Sequence, residues 1–156
     1  MKILIAYGSL GKFFHLKEFS EALQKLDVQT MLVKDSDYST GFPSKKPKEW
    51  IGTNKKFKNL IDEFKPDAVF IDRQSHFGID TIKFKIPLFI LLRGHYWSEI
   101  EWAKKTLYKG PLMRTVIWFR NNIAEKCFRN ATAVLPICEY LEDVVKEHHP
   151  NQSTFP

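Results

Sequence analysis

The sequence predicts an α/β fold, a Rossmann-like doubly wound parallel sheet. Five apolar runs of strand length recur along the 156 residues, most are apolar throughout, and helical stripes lie between them. Uninterrupted apolar strands suit a parallel sheet covered on both faces, and strands alternating with helices give right-handed crossovers. A chain of this length buries about two-thirds of its unfolded surface and makes one domain.

The runs at Lys2–Tyr7, 28–33, Ala68–Ile71, Leu88–Leu92 and 133–135 are the expected strands. Leu16, Phe19, Leu23 and Leu26 recur at helical spacing between the first two. Phe57, Leu60, Ile61 and Phe64 form a second stripe, which Lys65-Pro66-Asp67 ends. Residues 35–49, with Gly41, Pro43 and Pro47, read as one long loop. Over Pro111–Asn130 a helical wheel gathers Leu112, Met113, Val116, Ile117, Phe119, Ile123, Ala124, Cys127 and Phe128 on one half. Trp118 falls on the polar half with Arg114 and Arg129, a membrane or partner face. Arg120 falls among the apolar residues, so it needs a buried acid or must reach the cleft. A last helix near 139–147 leads to residues 151–156, expected as the start of a linker after a 1–150 domain.

Composition narrows the function classes. The longest apolar run, 86–92, is far short of the roughly 20 residues that cross a bilayer, and the first residues read as a strand rather than a secretory signal. A cytoplasmic protein is expected, and Cys127 and Cys138 are expected as reduced thiols rather than metal ligands. The net charge of +6 is concentrated: residues 44–65 and 98–130 each carry seven basic residues against three acidic ones. Such segments suit an anionic partner, such as a phosphate, a nucleic acid or an acidic membrane surface. Lysines in loops without a base-reading motif argue against nucleic acid.

In open parallel sheets ligands bind beyond the carboxyl ends of the strands. That rule nominates Gly8-Ser9-Leu10-Gly11, Lys34-Asp35, Asp72-Arg73-Gln74-Ser75-His76, Arg93-Gly94-His95-Tyr96-Trp97 and Cys138-Glu139. Gly8 and Gly11 suit a sharp turn into a helix whose N–H groups face an anion, although neither a dinucleotide fingerprint nor a Walker loop is present. Arg93, Gly94, His95, Tyr96 and Trp97 bring a guanidinium, an imidazole and two aromatic faces into five residues, the groups that hold phosphates and sugars. His95 is the candidate for proton transfer, with Asp72, Arg73 and His76 on the same rim. The competing reading makes His95 a turn cap, Trp97 a packing residue, and Asp72 and Ser75 turn and helix-cap residues.

The glycine turn after the first strand, Lys65-Pro66-Asp67-Ala68-Val69-Phe70, Ile86-Pro87-Leu88-Phe89-Ile90-Leu91-Leu92-Arg93-Gly94-His95 and Asn130-Ala131-Thr132-Ala133-Val134-Leu135-Pro136 follow in a familiar order. Over nearly its whole length the chain resembles the N-terminal domain of a family 4 (group 1) retaining glycosyltransferase of the GT-B fold. The resemblance implies an acceptor-binding domain, sugar transfer from a nucleotide-diphosphate sugar as co-substrate to a hydroxyl acceptor, and no cofactor or metal. It implies a sugar or lipid-linked acceptor, an anionic membrane surface, no nucleic acid partner, and a C-terminal donor domain absent here, without which the chain is inactive. By the resemblance, Gly8 and Gly11 lie near the donor diphosphate and Arg93, Gly94 and His95 beside the reacting sugar. The alternative expectation is a stand-alone Rossmann-like subunit that binds a nucleotide or anion and acts through a partner.

Overall fold

The computed structural model describes residues 1–44, 46–52 and 54–155. Lys45 of the first basic segment and Pro156 of the expected linker lie outside the described residues. Five strands, β1 (Lys2–Tyr7), β2 (Gln29–Lys34), β3 (Ala68–Ile71), β4 (Leu88–Leu92) and β5 (Ala133–Pro136), form a single all-parallel sheet in the order β2-β1-β3-β4-β5. The helices are α1 (Leu10–Gln24), α2 (Asp35–Tyr38), α3 (Lys55–Phe64), α4 (His76–Lys83), α5 (Tyr96–Thr106), α6 (Pro111–Asn130) and α7 (Glu139–His148). The order reverses between β1 and β3, where a doubly wound sheet opens a crevice at its carboxyl edge.

Side chains alternate along each strand, so the sheet has two apolar faces. One carries Leu4, Val69, Leu88, Ile90 and Val134, packed against Phe57 of α3, Phe77 of α4, Phe128 of α6 and Val145 of α7. Phe57 and Phe77 meet edge to face with ring centroids 4.9 Å apart. Gly78 permits the close approach of α4 to α6, since a Cβ there would lie 2.8 Å from Cys127 Sγ. Burial pushes the Cys127 thiol up to about 12, as befits a packing residue.

The second face is less complete than the apolar strands predict. Ile5 and Phe70 pack under Leu16 and Leu23 of α1, but Phe89, Leu91 and Leu135 are only half-buried. Among the described residues α1 is the helix whose side chains join this cluster, and it stands over β2 and β1, reaching β3 through Phe19 against Phe70 rather than covering β4 and β5. Leu26, expected on the α1 stripe, lies beyond the helix end and is exposed. The chain turns there through Asp27 at φ 58°.

The long loop contains α2 and a 3-10 turn at Pro47–Glu49. α3 ends at Lys65, whose left-handed φ of 52° breaks the helix before Pro66. Residues 152–155 run along the outer edge of β5: the Val134 N–H donates to the Ser153 carbonyl at 2.9 Å and the Phe155 N–H to the Val134 carbonyl at 3.2 Å. This added stretch covers an edge strand that would otherwise offer unpaired backbone groups. No helix among the described residues is long and apolar enough to cross a membrane.

Candidate functional site

A cleft of about 580 Å³ opens at the carboxyl edge of the sheet. That size suits a small organic ligand or a nucleotide, within the roughly 300–1,000 Å³ usual for such sites. Its floor is Lys12 from α1, Asp35 at the start of α2, and Asp72, Arg73 and His76 after β3. The far wall comes from α5 and α6 with the turn between them, including Tyr96, Glu99, Tyr108 and Arg120.

The floor is a charge network centred on two buried carboxylates. Asp35 accepts from Arg73 through Nη2 at 2.7 and 3.0 Å and Nε at 3.2 Å, a bidentate pair that fixes the guanidinium plane. Asp72 Oδ1 accepts the Gly8 N–H at 3.0 Å, tying the end of β3 to the end of β1. Its Oδ2 is buried without a hydrogen-bond partner, 3.7 Å from Lys12 Nζ and 4.0 Å from Arg93 Nη2. Arg93 Nε and Nη2 are likewise buried and unpartnered. Buried polar atoms left in this way are costly, and a group that both donates and accepts, such as a hydroxyl or water, satisfies an orphan acceptor beside an orphan donor.

Gly8 and Gly11 differ from expectation. No glycine among the described residues has a positive φ, so neither is required by its backbone angles. Gly8 is required by space, because a Cβ would lie 2.6 Å from Arg73 Nε and displace the guanidinium from Asp35. Gly11 sits inside α1 with open space around it. Ser9 is the α1 N-cap, with extended backbone and no side-chain capping bond. His76 begins α4 and its Nε2 lies 3.0 Å from the Phe42 carbonyl, pinning the long loop over the cleft. Ser75 is the α4 N-cap, whereas Asp72 lies in the bend after β3 and accepts the Gly8 N–H.

The second cluster divides between cleft and core. His95 caps α5, its Nδ1 accepting the Ser98 N–H at 3.2 Å. Gly94 leaves room for Glu99, whose Oε1 would lie 2.7 Å from a Cβ. Tyr96 faces the cleft with its hydroxyl 3.4 Å from Asn121 Oδ1, and burial, helped by Glu125, raises its pKa well above the usual value. Trp97 turns away: Nε1 donates to Glu125 at 2.9 Å and the indole stacks on His148 with centroids 4.2 Å apart. It anchors α5 to α6 and α7, so the second cluster does not converge on one ligand.

On α6 the wheel is correct for only part of the helix. Ile117, Ala124, Cys127 and Phe128 are buried, but Leu112, Met113 and Phe119 are exposed because the first turns project beyond the sheet. Arg120 reaches the cleft and donates to Tyr108 Oη at 2.7 Å. Arg114 and Trp118 are exposed one turn apart, while Arg129 lies about 22 Å along the axis from Arg114, 3.9 Å from Glu125. Lys12, Glu99 and Tyr108 were not nominated by the sequence. Lys12 follows the glycine turn that was nominated, but Glu99 and Tyr108 become site residues only through the folding of the α5–α6 connection.

Fold and cleft together define an α/β parallel-sheet protein with a charge-lined cleft at the topological switch point. No family model matches the chain. It is similar to the ribosomal RNA small subunit methyltransferase Nep1 of Pyrococcus furiosus, 37% identical over 73 residues, which span 40% of this chain and 33% of that protein. The chain thus covers about a third of the length of the curated relative it matches.

This similarity overturns the glycosyltransferase resemblance, since the matched protein is a methyltransferase. The expected sugar transfer and sugar or lipid-linked acceptor go with it, and the expectation of no nucleic acid partner conflicts with a relative named for ribosomal RNA. The physical reason lies in what the motifs report. Apolar strands, a Pro-Asp strand start and a glycine after the first strand serve the building of a parallel α/β sheet, so their order describes a scaffold and not a chemistry. The lysine argument also weakens, because Lys55, Lys56 and Lys58 stand on α3 rather than in a loop.

Proposed function

We propose that this chain is an RNA-directed domain of methyltransferase type, whose cleft holds a nucleotide unit of the RNA. The observation that carries the reading is the partial similarity to a ribosomal RNA methyltransferase, in a chain whose cleft lies at the ligand-binding edge of a parallel sheet. Lys12, Arg73 and Arg120 line the cleft among four carboxylates, two of which already pair with Lys12 and Arg73, and Tyr96 and Tyr108 offer aromatic faces for a base. Asp72 belongs to the cleft floor, with Arg93 Nη2 4.0 Å from its Oδ2.

A sulfonium methyl donor, when bound, would supply the methyl group and depart as a thioether, and the nucleotide nitrogen or oxygen that accepts the methyl would release a proton. Glu99 is the candidate to receive it. Of the four cleft carboxylates, Asp35, Glu49 and Asp72 each lie within 4.0 Å of a basic side chain, and Glu99 forms no such pair among the described residues. A cytosolic location belongs to the same proposal.

The test is labelled-methyl transfer from S-adenosylmethionine to small-subunit ribosomal RNA, alongside filter binding of the same RNA. Salt-sensitive RNA binding that Arg73→Ala weakens, with label incorporation lowered in Glu99→Gln, supports the reading. Absence of both RNA binding and methyl incorporation overturns it.

A further inference from the structure

The hairpin of α5 and the first half of α6 is the least packed part of the molecule. α5 has no buried residue. Trp102 is 60% exposed and Trp118 58%, and Leu107 and Leu112 are still more open. Over residues 96–120 Lys104, Lys105, Lys109, Arg114 and Arg120 stand against only Glu99 and Glu101. Lys104 is paired with Glu101 at 2.5 Å, but among the described residues Lys105, Lys109 and Arg114 form no ion pair. Free cations are interleaved with the indoles: Lys105 follows Trp102 by three residues and Arg114 precedes Trp118 by four, spacings that share a helix face. The same hairpin is continuous with the cleft, supplying Ala103, Tyr108 and Arg120 to its wall.

We infer that this hairpin grips single-stranded RNA entering the cleft, a reading that rests on the RNA-directed function proposed above. Trp102 and Trp118 stack on unpaired bases, while Lys105, Lys109 and Arg114 neutralise phosphates. Strand-tracking surfaces combine these two groups, since every base has a π-face and every linkage a charge. Single-stranded RNA is favoured over a protein partner because unpaired cations sit beside both indoles, and a dry protein interface would have to desolvate them. It is favoured over duplex RNA because the recess behind the hairpin admits one nucleotide, not a helix.

The test measures binding of the full chain to uridine monophosphate, an unstructured 12-nucleotide oligouridylate, and vesicles of mixed phosphatidylcholine and phosphatidylglycerol. Trp102→Ala and Trp118→Ala should each weaken the 12-mer by about 5- to 150-fold and leave the mononucleotide unchanged. Lys105→Ala/Lys109→Ala/Arg114→Ala should lower the slope of log affinity against log salt by about 2, near 0.7 per phosphate contact. Unaltered melting temperatures would exclude misfolding. Mononucleotide binding with a 12-mer no tighter, or with all variants equal to wild type, overturns the hairpin's role and leaves the cleft reading standing. Vesicle binding that the same variants abolish, without 12-mer binding, overturns it in favour of a membrane face. Binding of neither the mononucleotide nor the 12-mer overturns hairpin and cleft together.

Discussion

The centre of the sheet and the α5–α6 hairpin are both rich in large apolar side chains, and the molecule treats them in opposite ways. Leu4, Ile5, Val69 and Ile90 have no exposed surface, locked between neighbouring strands and the helices above them. Trp102, Leu107, Leu112 and Trp118 have composition enough for a core and stand in solvent. Topology makes the difference: the buried residues of the central strands lie under helices that the crossovers bring onto the sheet, whereas a helical hairpin reaching past the carboxyl edge has no layer above it. Apolar content therefore predicts burial only where the fold provides a second surface. Where it does not, exposed aromatics flanked by cations mark a place of contact.

The contrast breaks or sharpens under substitution. The largest effect is expected at Phe77→Ala, which removes a fully buried ring and its edge-to-face partner Phe57; urea unfolding should show a loss of about 3–5 kcal/mol. A loss under about 1 kcal/mol would mean that the core is as forgiving as the hairpin. Next comes the cleft floor. Asp35→Ala leaves Arg73 without its bidentate partner, with an expected loss of about 1–3 kcal/mol and weaker nucleotide binding as the guanidinium swings free. Stability lost without any change in binding would confine the pair to a scaffolding role.

A smaller, pH-dependent effect is expected at His149, where α7 ends. Burial, opposed by the Glu125 carboxylate 3.2 Å away and reinforced by Arg129 and His148, holds its pKa below the ordinary 6.5. The unfolded chain then takes up this proton at higher pH than the folded chain. The contribution is complete above about pH 6.5 and declines as pH falls through the depressed folded value. Melting temperature from pH 7.5 to 5 should drop less in His149→Gln than in wild type, and parallel curves would refute the assignment. The smallest effect belongs to Trp102→Ala, expected to shift stability by no more than about 0.5 kcal/mol because little of that side chain is packed.

The scaffold was written in local patterns. β1, β3 and β4 begin and end where their apolar runs do, and α6 spans Pro111–Asn130 as its wheel and initial proline indicate. α4 and α5 were not resolved from the sequence, because neither carries a clear stripe: α4 is short, and α5 has almost no buried face to advertise. The site was only partly written. Asp72, Arg73 and His76 follow a strand and could be nominated by position, but the Asp35–Arg73 pair joins residues 38 apart through the β2-β1-β3 arrangement. His95 and Trp97 were nominated as chemical groups by residue type, and the fold uses one as a helix cap and the other as an anchor on α6 and α7. The glycosyltransferase resemblance failed for a related reason, since it drew on segments that build the sheet rather than on groups that face a ligand.

The most direct test of the central claim is photocrosslinking of the intact chain to a 4-thiouridine-containing single-stranded RNA, with the crosslinked peptides mapped by mass spectrometry. The account predicts crosslinks within residues 96–120 and 72–76, abolished by competing unlabelled oligouridylate. Crosslinks confined to surfaces away from both segments, or no specific crosslinking at all, would contradict it.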